Sequence, residues 1–121
     1  MALNKPQSAP PAPADGVHDE ATLNAAALDV DRLNLMFRDY RTLYRSNPVG
    51  TNAEIMKEVM GGNPKHAQLG PPEGMKLNAN GEALDRWGTP FFFHQMSATD
   101  MQIRSAGPDR VLWTADDVFL R

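Results

Sequence analysis

DEATLNAAALDVDRLNLMFRDYRTLYR, residues 19–45, holds neither glycine nor proline, and its apolar residues recur in steps of three and four. Ala26, Val30, Leu33, Phe37, Tyr40 and Tyr44 therefore share one face of a helix. Leu23, Leu28, Met36 and Leu43 widen that face, while Arg32, Asp39 and Arg41 lie away from it. A helix of about 27 residues runs about 40 Å. That is long for a small domain, so its N-terminal part is expected to project beyond its cover. Asn47-Pro48 stops the helix, because a residue before proline avoids the helical region.

Downstream, Thr51-Asn52-Ala53-Glu54 reads as a capping box, in which threonine and glutamate satisfy each other's backbone amides. Ile55, Met56, Val59 and Met60 give the short helix that follows an apolar face, and Gly61-Gly62 ends it. Gly61 to Gly74 is rich in glycine and proline and reads as a loop. Met75-Lys76-Leu77 is expected as a short strand, turned by Asn78-Ala79-Asn80-Gly81. Phe91-Phe92-Phe93-His94 is rich in β-formers. Met101, Ile103 and Ser105 alternate with Gln102 and Arg104, as in a half-buried strand. Ser97 to Asp100 makes a short antiparallel connection. After Gly107-Pro108 the chain makes a last excursion through Val111-Leu112-Trp113. Two helices followed by two or three antiparallel strands make an α+β domain, a sheet laid on one long helix.

Upstream, residues 1–16 are mostly Pro, Ala and Ser, a composition that buries nothing and suits an extended tether. The globular domain is expected over residues 17–121. A chain of 121 residues makes one domain, not two. It has no cysteine, which excludes a disulfide framework, a thiolate metal site and a cysteine nucleophile. A net charge of −3 gives no basic excess for nucleic acid or anionic membrane. No apolar run approaches the ~20 residues that span a bilayer.

The three histidines, His18, His66 and His94, are far apart and show no metal-ligand spacing. A small hydrolase would use His66 or His94 with an aspartate, but no G-x-S-x-G elbow supports one. No phosphate-cradling glycine motif occurs. The C-terminal carboxylates Asp109, Asp116 and Asp117 are more informative. Brought together they would repel unless a cation sat among them, and calcium suits a loop of oxygen donors. Two other readings stand beside this one: a solvated acidic turn, and Thr114 capping a helix with Asp117 at its third position. Asp85-Arg86-Trp87-Gly88-Thr89-Pro90 reads as a turn that buries the Trp87 ring under the start of a strand.

Asp85-x-Trp87-Gly88-x-Pro90-Phe91, then a strand, then Ser105-x-Gly107-Pro108-Asp109 and Thr114-x-Asp116-Asp117-Val118 together resemble the C-terminal half of the major pseudopilin of type II secretion systems. The resemblance covers about residues 20 to 121. It implies a pilin-like fold: a long N-terminal helix packed on a small antiparallel sheet, with a short second helix and a C-terminal loop. It implies a non-enzymatic structural subunit that self-associates into a filament with other pseudopilin-like subunits. It also implies calcium, held by the side chains of Asp109, Asp116 and Asp117 and by backbone carbonyls near Ala106 and Val118. Such a protein faces the periplasm, and inner-membrane anchoring is expected only through an apolar segment outside this chain. Arg86 stands where the family commonly has proline. Arg110-Val111-Leu112-Trp113 stands where it often has glycines, and those apolar residues are expected to pack the loop down. The alternative is a free-standing extracytoplasmic binding or adaptor domain on the same fold.

Overall fold

The computed structural model describes residues 20–120. The proline-rich stretch 1–16 and the start of the expected domain at residues 17–19 lie outside the described residues, as does Arg121.

The long helix, α1, spans Glu20–Tyr44, within a residue of each expected end. It stops before Asn47-Pro48: Arg45 turns into the left-handed region at φ 68°, and its amide still donates to the Arg41 carbonyl at 2.7 Å. Ala26, Val30, Leu33, Met36, Phe37 and Tyr40 are buried along one face. Leu28 and Leu43 do not widen that face as expected; both are exposed. The 3.6-residue period carries Leu28 round to the far side, whereas Leu43 stays beside Met36 and Tyr40 at the edge of the buried arc, where the cover runs out near the end of the helix. The helix's first turns are its least covered, as expected: Ala21 and Asn24 are exposed.

The second helix, α2, spans Asn52–Val59 and carries the expected capping box. The Glu54 amide donates to Thr51 Oγ1 at 3.3 Å, and the Thr51 amide donates to Glu54 Oε1 at 2.8 Å. Ile55, Met56 and Val59 are buried, whereas Met60 is exposed beyond the last turn. At the other end Asn52 does more than continue a cap. Its buried amide donates to the Phe91 carbonyl at 2.8 Å and the Ala83 carbonyl at 3.1 Å, and its Oδ1 accepts from the Ala83 amide at 2.7 Å. One side chain thereby binds the helix start to two separate segments of extended chain.

The sheet has three antiparallel strands in the order β1 (Phe92–Ser97), β2 (Asp100–Ser105) and β3 (Val118–Leu120). Phe93 pairs with Ile103, and Ile103 with Leu120, while the β1–β2 register is irregular between Gln95 and Ser97. Met75–Leu77 forms no strand of its own. Only an isolated bridge from Leu77 to Ala83 closes the Asn78–Gly81 turn. Three residues with an exposed lysine in the middle have too little apolar surface to hold a ladder.

α1 lies against β2 and β3. Leu33, Phe37, Ile55, Met56, Phe91 and Ile103 form the centre of the core. The Phe37 ring meets Phe93 edge to face at 5.2 Å, the favoured aromatic geometry. Because Asn52 is buried with all its bonds made, Asn52→Ala leaves the Phe91 carbonyl and the Ala83 amide without partners, while the Ala83 carbonyl keeps the Phe91 amide at 3.0 Å. Urea denaturation is expected to show a loss of about 2–4 kcal/mol; a loss below about 0.5 kcal/mol would show that the Asn52 bonds hold nothing.

Candidate functional site

Asp85 places the C-terminal loop. Its buried carboxylate accepts from the Trp87 amide at 3.0 Å and the Thr89 amide at 2.8 Å, which shapes the turn. Its other oxygen accepts from Ser105 Oγ, at the end of β2, at 2.7 Å. Ser105 Oγ in turn accepts from the Gly107 amide at 3.2 Å. The Trp87 ring is buried, as the turn reading expects. Arg86 clamps the same turn to α1: Nε donates to Asp29 Oδ2 at 2.7 Å and a terminal nitrogen to Oδ1 at 3.1 Å.

Beyond Ser105 the chain passes through Ala106 and Gly107 into the loop and returns at Val118, which pairs with Ser105. Ala106 and Val118 thus stand where the β2–β3 ladder opens into the loop and closes behind it. Gly107 has φ 78°, and a Cβ there would fall on the backbone carbonyl of Asp116. Only glycine lets the outgoing and returning chains approach so closely.

That approach brings the three aspartates together. One carboxylate oxygen from each of Asp109, Asp116 and Asp117 lies within 4.8 Å of the others. Their environments differ sharply. The Asp117 side chain has no solvent exposure, and its Oδ2 accepts from Arg104 at 2.9 Å and from the Trp113 amide at 2.7 Å. Asp116 Oδ2 accepts from the Asp109 amide at 3.3 Å. Asp109 is exposed, and its Oδ1 accepts from the Val111 amide at 2.9 Å. The Thr114 hydroxyl and the Val111 amide together hold the Asp109 carboxyl below the usual aspartate range.

Thr114 sits at the centre. Its Oγ1 is 2.8 Å from Asp116 Oδ1, 3.1 Å from Asp117 Oδ1 and 3.1 Å from the Val111 carbonyl. A hydroxyl has one proton, so two of those oxygens face it without a hydrogen between. Three carboxylates against the one Arg104 guanidinium leave two negative charges. The donors are all oxygen, the surplus is two, and the oxygens are crowded: this set fits a hard divalent cation such as calcium.

Thr114 caps no helix, because residues 114–117 make a turn and not a helical segment. Its role at the cluster, and that of Arg104, were not legible in the sequence. Arg104 alternates like a solvent-facing strand residue, yet its side chain is only 11% exposed. Its guanidinium lies over the Trp113 ring at 4.3 Å and the Phe119 ring at 4.1 Å. Val111 and Trp113 are both exposed, but Trp113 packs the loop down onto the sheet: its ring meets Phe92 edge to face at 5.2 Å and covers Arg104. Among the described residues His66 and His94 are exposed and neither has a carboxylate partner, while His18 lies outside them. No protein-family model, curated protein or solved structure matches the chain.

Two outcomes follow for the ion-free protein. Arg104→Met strands the buried Asp117 carboxylate and is expected to cost about 3 kcal/mol, read by urea unfolding in chelator. A change within about 0.5 kcal/mol would mean that the two backbone and side-chain donors of Thr114 and Trp113 suffice for Asp117. Asp109 titrates lower in the folded chain than in the unfolded one. Its contribution to stability is therefore complete above about pH 3.9, the usual aspartate value, and is lost as pH falls through the folded value. Thr114→Val removes the hydroxyl and is expected to raise the Asp109 midpoint, followed by carboxyl NMR; an unmoved midpoint would assign the effect to the Val111 amide alone.

Proposed function

We propose that this chain is the soluble domain of a pseudopilin-like structural subunit whose C-terminal loop is stabilised by calcium. One observation carries the reading. The two stretches that resemble the pseudopilin family, Asp85–Phe91 and Ser105–Val118, meet in space through the Asp85–Ser105 bond, and the second folds its three aspartates to within 4.8 Å. The order of elements, a long helix, a short helix and a three-stranded antiparallel sheet, is compatible with a pilin-like arrangement.

In this reading the protein performs no reaction. Its task is assembly, as a subunit of a filament formed with further copies and with other pseudopilin-like subunits. The setting is the periplasm, with inner-membrane attachment through a segment outside this chain. Asp109, Asp116 and Asp117 would hold the ion through side-chain oxygens, with the carbonyls of Ala106 and Val118 beside them. Calcium supplies two positive charges and loose, oxygen-rich coordination. The residues supply the rest: Gly107 lets the chain close, Thr114 orients two carboxylates, and Arg104 holds Asp117 in place. A fixed loop then presents a constant lateral surface to a neighbouring subunit.

Ligand linkage gives the test. At free calcium a hundred times the dissociation constant, binding adds about 2.7 kcal/mol, which raises the melting temperature on the order of 10 °C for a domain of this size. Asp116→Ala is expected to abolish the rise. An identical melt in chelator and in millimolar calcium would remove the ion. Assembly is tested separately, by cross-linking and membrane fractionation of the protein expressed from its own locus. A ladder of multimers in the inner membrane is expected; a monomer free of the membrane would instead favour the extracytoplasmic adaptor reading.

A further inference from the structure

A cavity of about 330 Å³ opens between α1, at Asp29, and the two segments that the Leu77–Ala83 bridge holds side by side. The same segments meet again where the Leu84 amide donates to the Lys76 carbonyl at 2.9 Å. Met75, Lys76, Leu84, Asp85 and Arg86 make most of the remaining lining. The volume is at the small end of the range for ligand pockets.

The lining sorts by chemistry and by depth. Met75 and Leu84 are half-buried, whereas Lys76 and Arg86 are exposed. The acids are already engaged. Asp29 Oδ2 accepts from Arg86 Nε at 2.7 Å, and Asp29 Oδ1 accepts from a terminal nitrogen of Arg86 at 3.1 Å. The buried Asp85 carboxylate accepts from the Trp87 and Thr89 amides and from the Ser105 hydroxyl. The bases are not engaged to the same degree. A guanidinium has five N–H donors, and Asp29 takes only two of those on Arg86. The Lys76 ammonium has no hydrogen-bond or ion-pair partner among the described residues.

A ligand that suits this lining brings acceptors to the exposed bases and apolar atoms to the half-buried side chains. A cation would find both carboxylates occupied. A neutral hydrocarbon would cover donors without pairing them. The two acids and two bases of the lining balance, so a phosphate dianion would leave twice the excess charge of a carboxylate. A single carboxylate matches the planar fork of Arg86 and the point charge of Lys76, and a short hydrocarbon tail gains from contact with Met75 and Leu84.

We propose that this cavity binds a small amphipathic carboxylate, its head between Lys76 and Arg86 and its tail against Met75 and Leu84. A free short-chain acid and the free C-terminus of a peptide both carry that chemistry. The exposed bases keep binding weak, with a Kd on the order of 1 mM for a ligand of about eight non-hydrogen atoms. None of Asp109, Asp116 and Asp117 lines the cavity, so this site and the calcium loop can fail separately.

Hexanoate and N-acetylleucine are the probes, each beside its uncharged amide, titrated into the full chain and followed by backbone amide NMR at Met75, Lys76, Leu84 and Arg86. Saturable shifts are expected with at least one acid, and about tenfold weaker binding of the matching amide. Tighter binding of hexanoate assigns the site to a free acid, and tighter binding of N-acetylleucine assigns it to a peptide terminus. Lys76→Gln alters an exposed side chain that the fold does not use. It is expected to weaken the acid about fivefold and to leave the melting temperature unchanged. No saturation by either acid up to about 20 mM, equal binding of acid and amide, or equal affinity in Lys76→Gln would overturn the proposal.

Discussion

The buried carboxylate of Asp85 is the constraint on which the C-terminal half of the molecule depends. It accepts three hydrogen bonds from two regions: the Trp87 and Thr89 amides of its own turn, and Ser105 at the end of β2. Hydrogen bonds to a charged group contribute about 1.5–3 kcal/mol each. The three together therefore offset a substantial part of the cost of fixing irregular chain. Ser105 then passes the constraint on by accepting from the Gly107 amide. Gly107 is where the outgoing chain touches the returning one, so the convergence of the three aspartates begins with a side chain more than twenty residues upstream.

The Asp117–Arg104 pair works differently. A buried ion pair is a poor source of net stability, because stripping water from both charges offsets most of their attraction. It is a good source of specificity, because any other arrangement leaves one charge buried alone. Two aromatic rings cover Arg104 and keep water from the pair. Asp117 is thus pinned with or without an ion, while Asp109 at the other side of the cluster is open to solvent. An entering cation meets one fixed wall and one adjustable one. That division suits a metal whose coordination geometry is loose.

What the sequence disclosed and what it withheld divide along the range of the interactions. α1 and the Thr51–Glu54 capping box were legible because both are local: one is a period, the other a spacing of three. The three aspartates were legible as a group because they lie within nine residues of one another, although the Asp85–Ser105 bond that helps to close their loop was not. Leu28, Leu43 and Met60 misled, because apolar identity says nothing about which side of a narrow domain receives cover. β3 was only loosely foreseen, since three residues become a strand through their pairing with β2 and not through their own preference. Arg104, Thr114 and Asn52 gave no sign of their roles. Each acts on groups brought near by the fold, and Asn52 reaches Phe91 across 39 positions.

This same narrowness explains why α1 has two faces of different character. One sheet of three strands, one of them only three residues long, cannot wrap a helix of 25 residues. Cover is therefore spent on the side bearing Leu33 and Phe37, and the opposite side must be stable in water or find cover from another molecule. A helix indifferent to company would carry charge there throughout. Instead Leu28 and Leu35 stand among the charges there, and exposing each one costs about 1 kcal/mol or more relative to burial. The domain tolerates that cost on the outer side of α1, while the C-terminal loop is tied down by bonds to Asp85 and Arg104. The exposure of the helix and the ordering of the loop accordingly have separate causes: one is set by how far a small sheet reaches, the other by hydrogen bonds to Asp85 and Arg104.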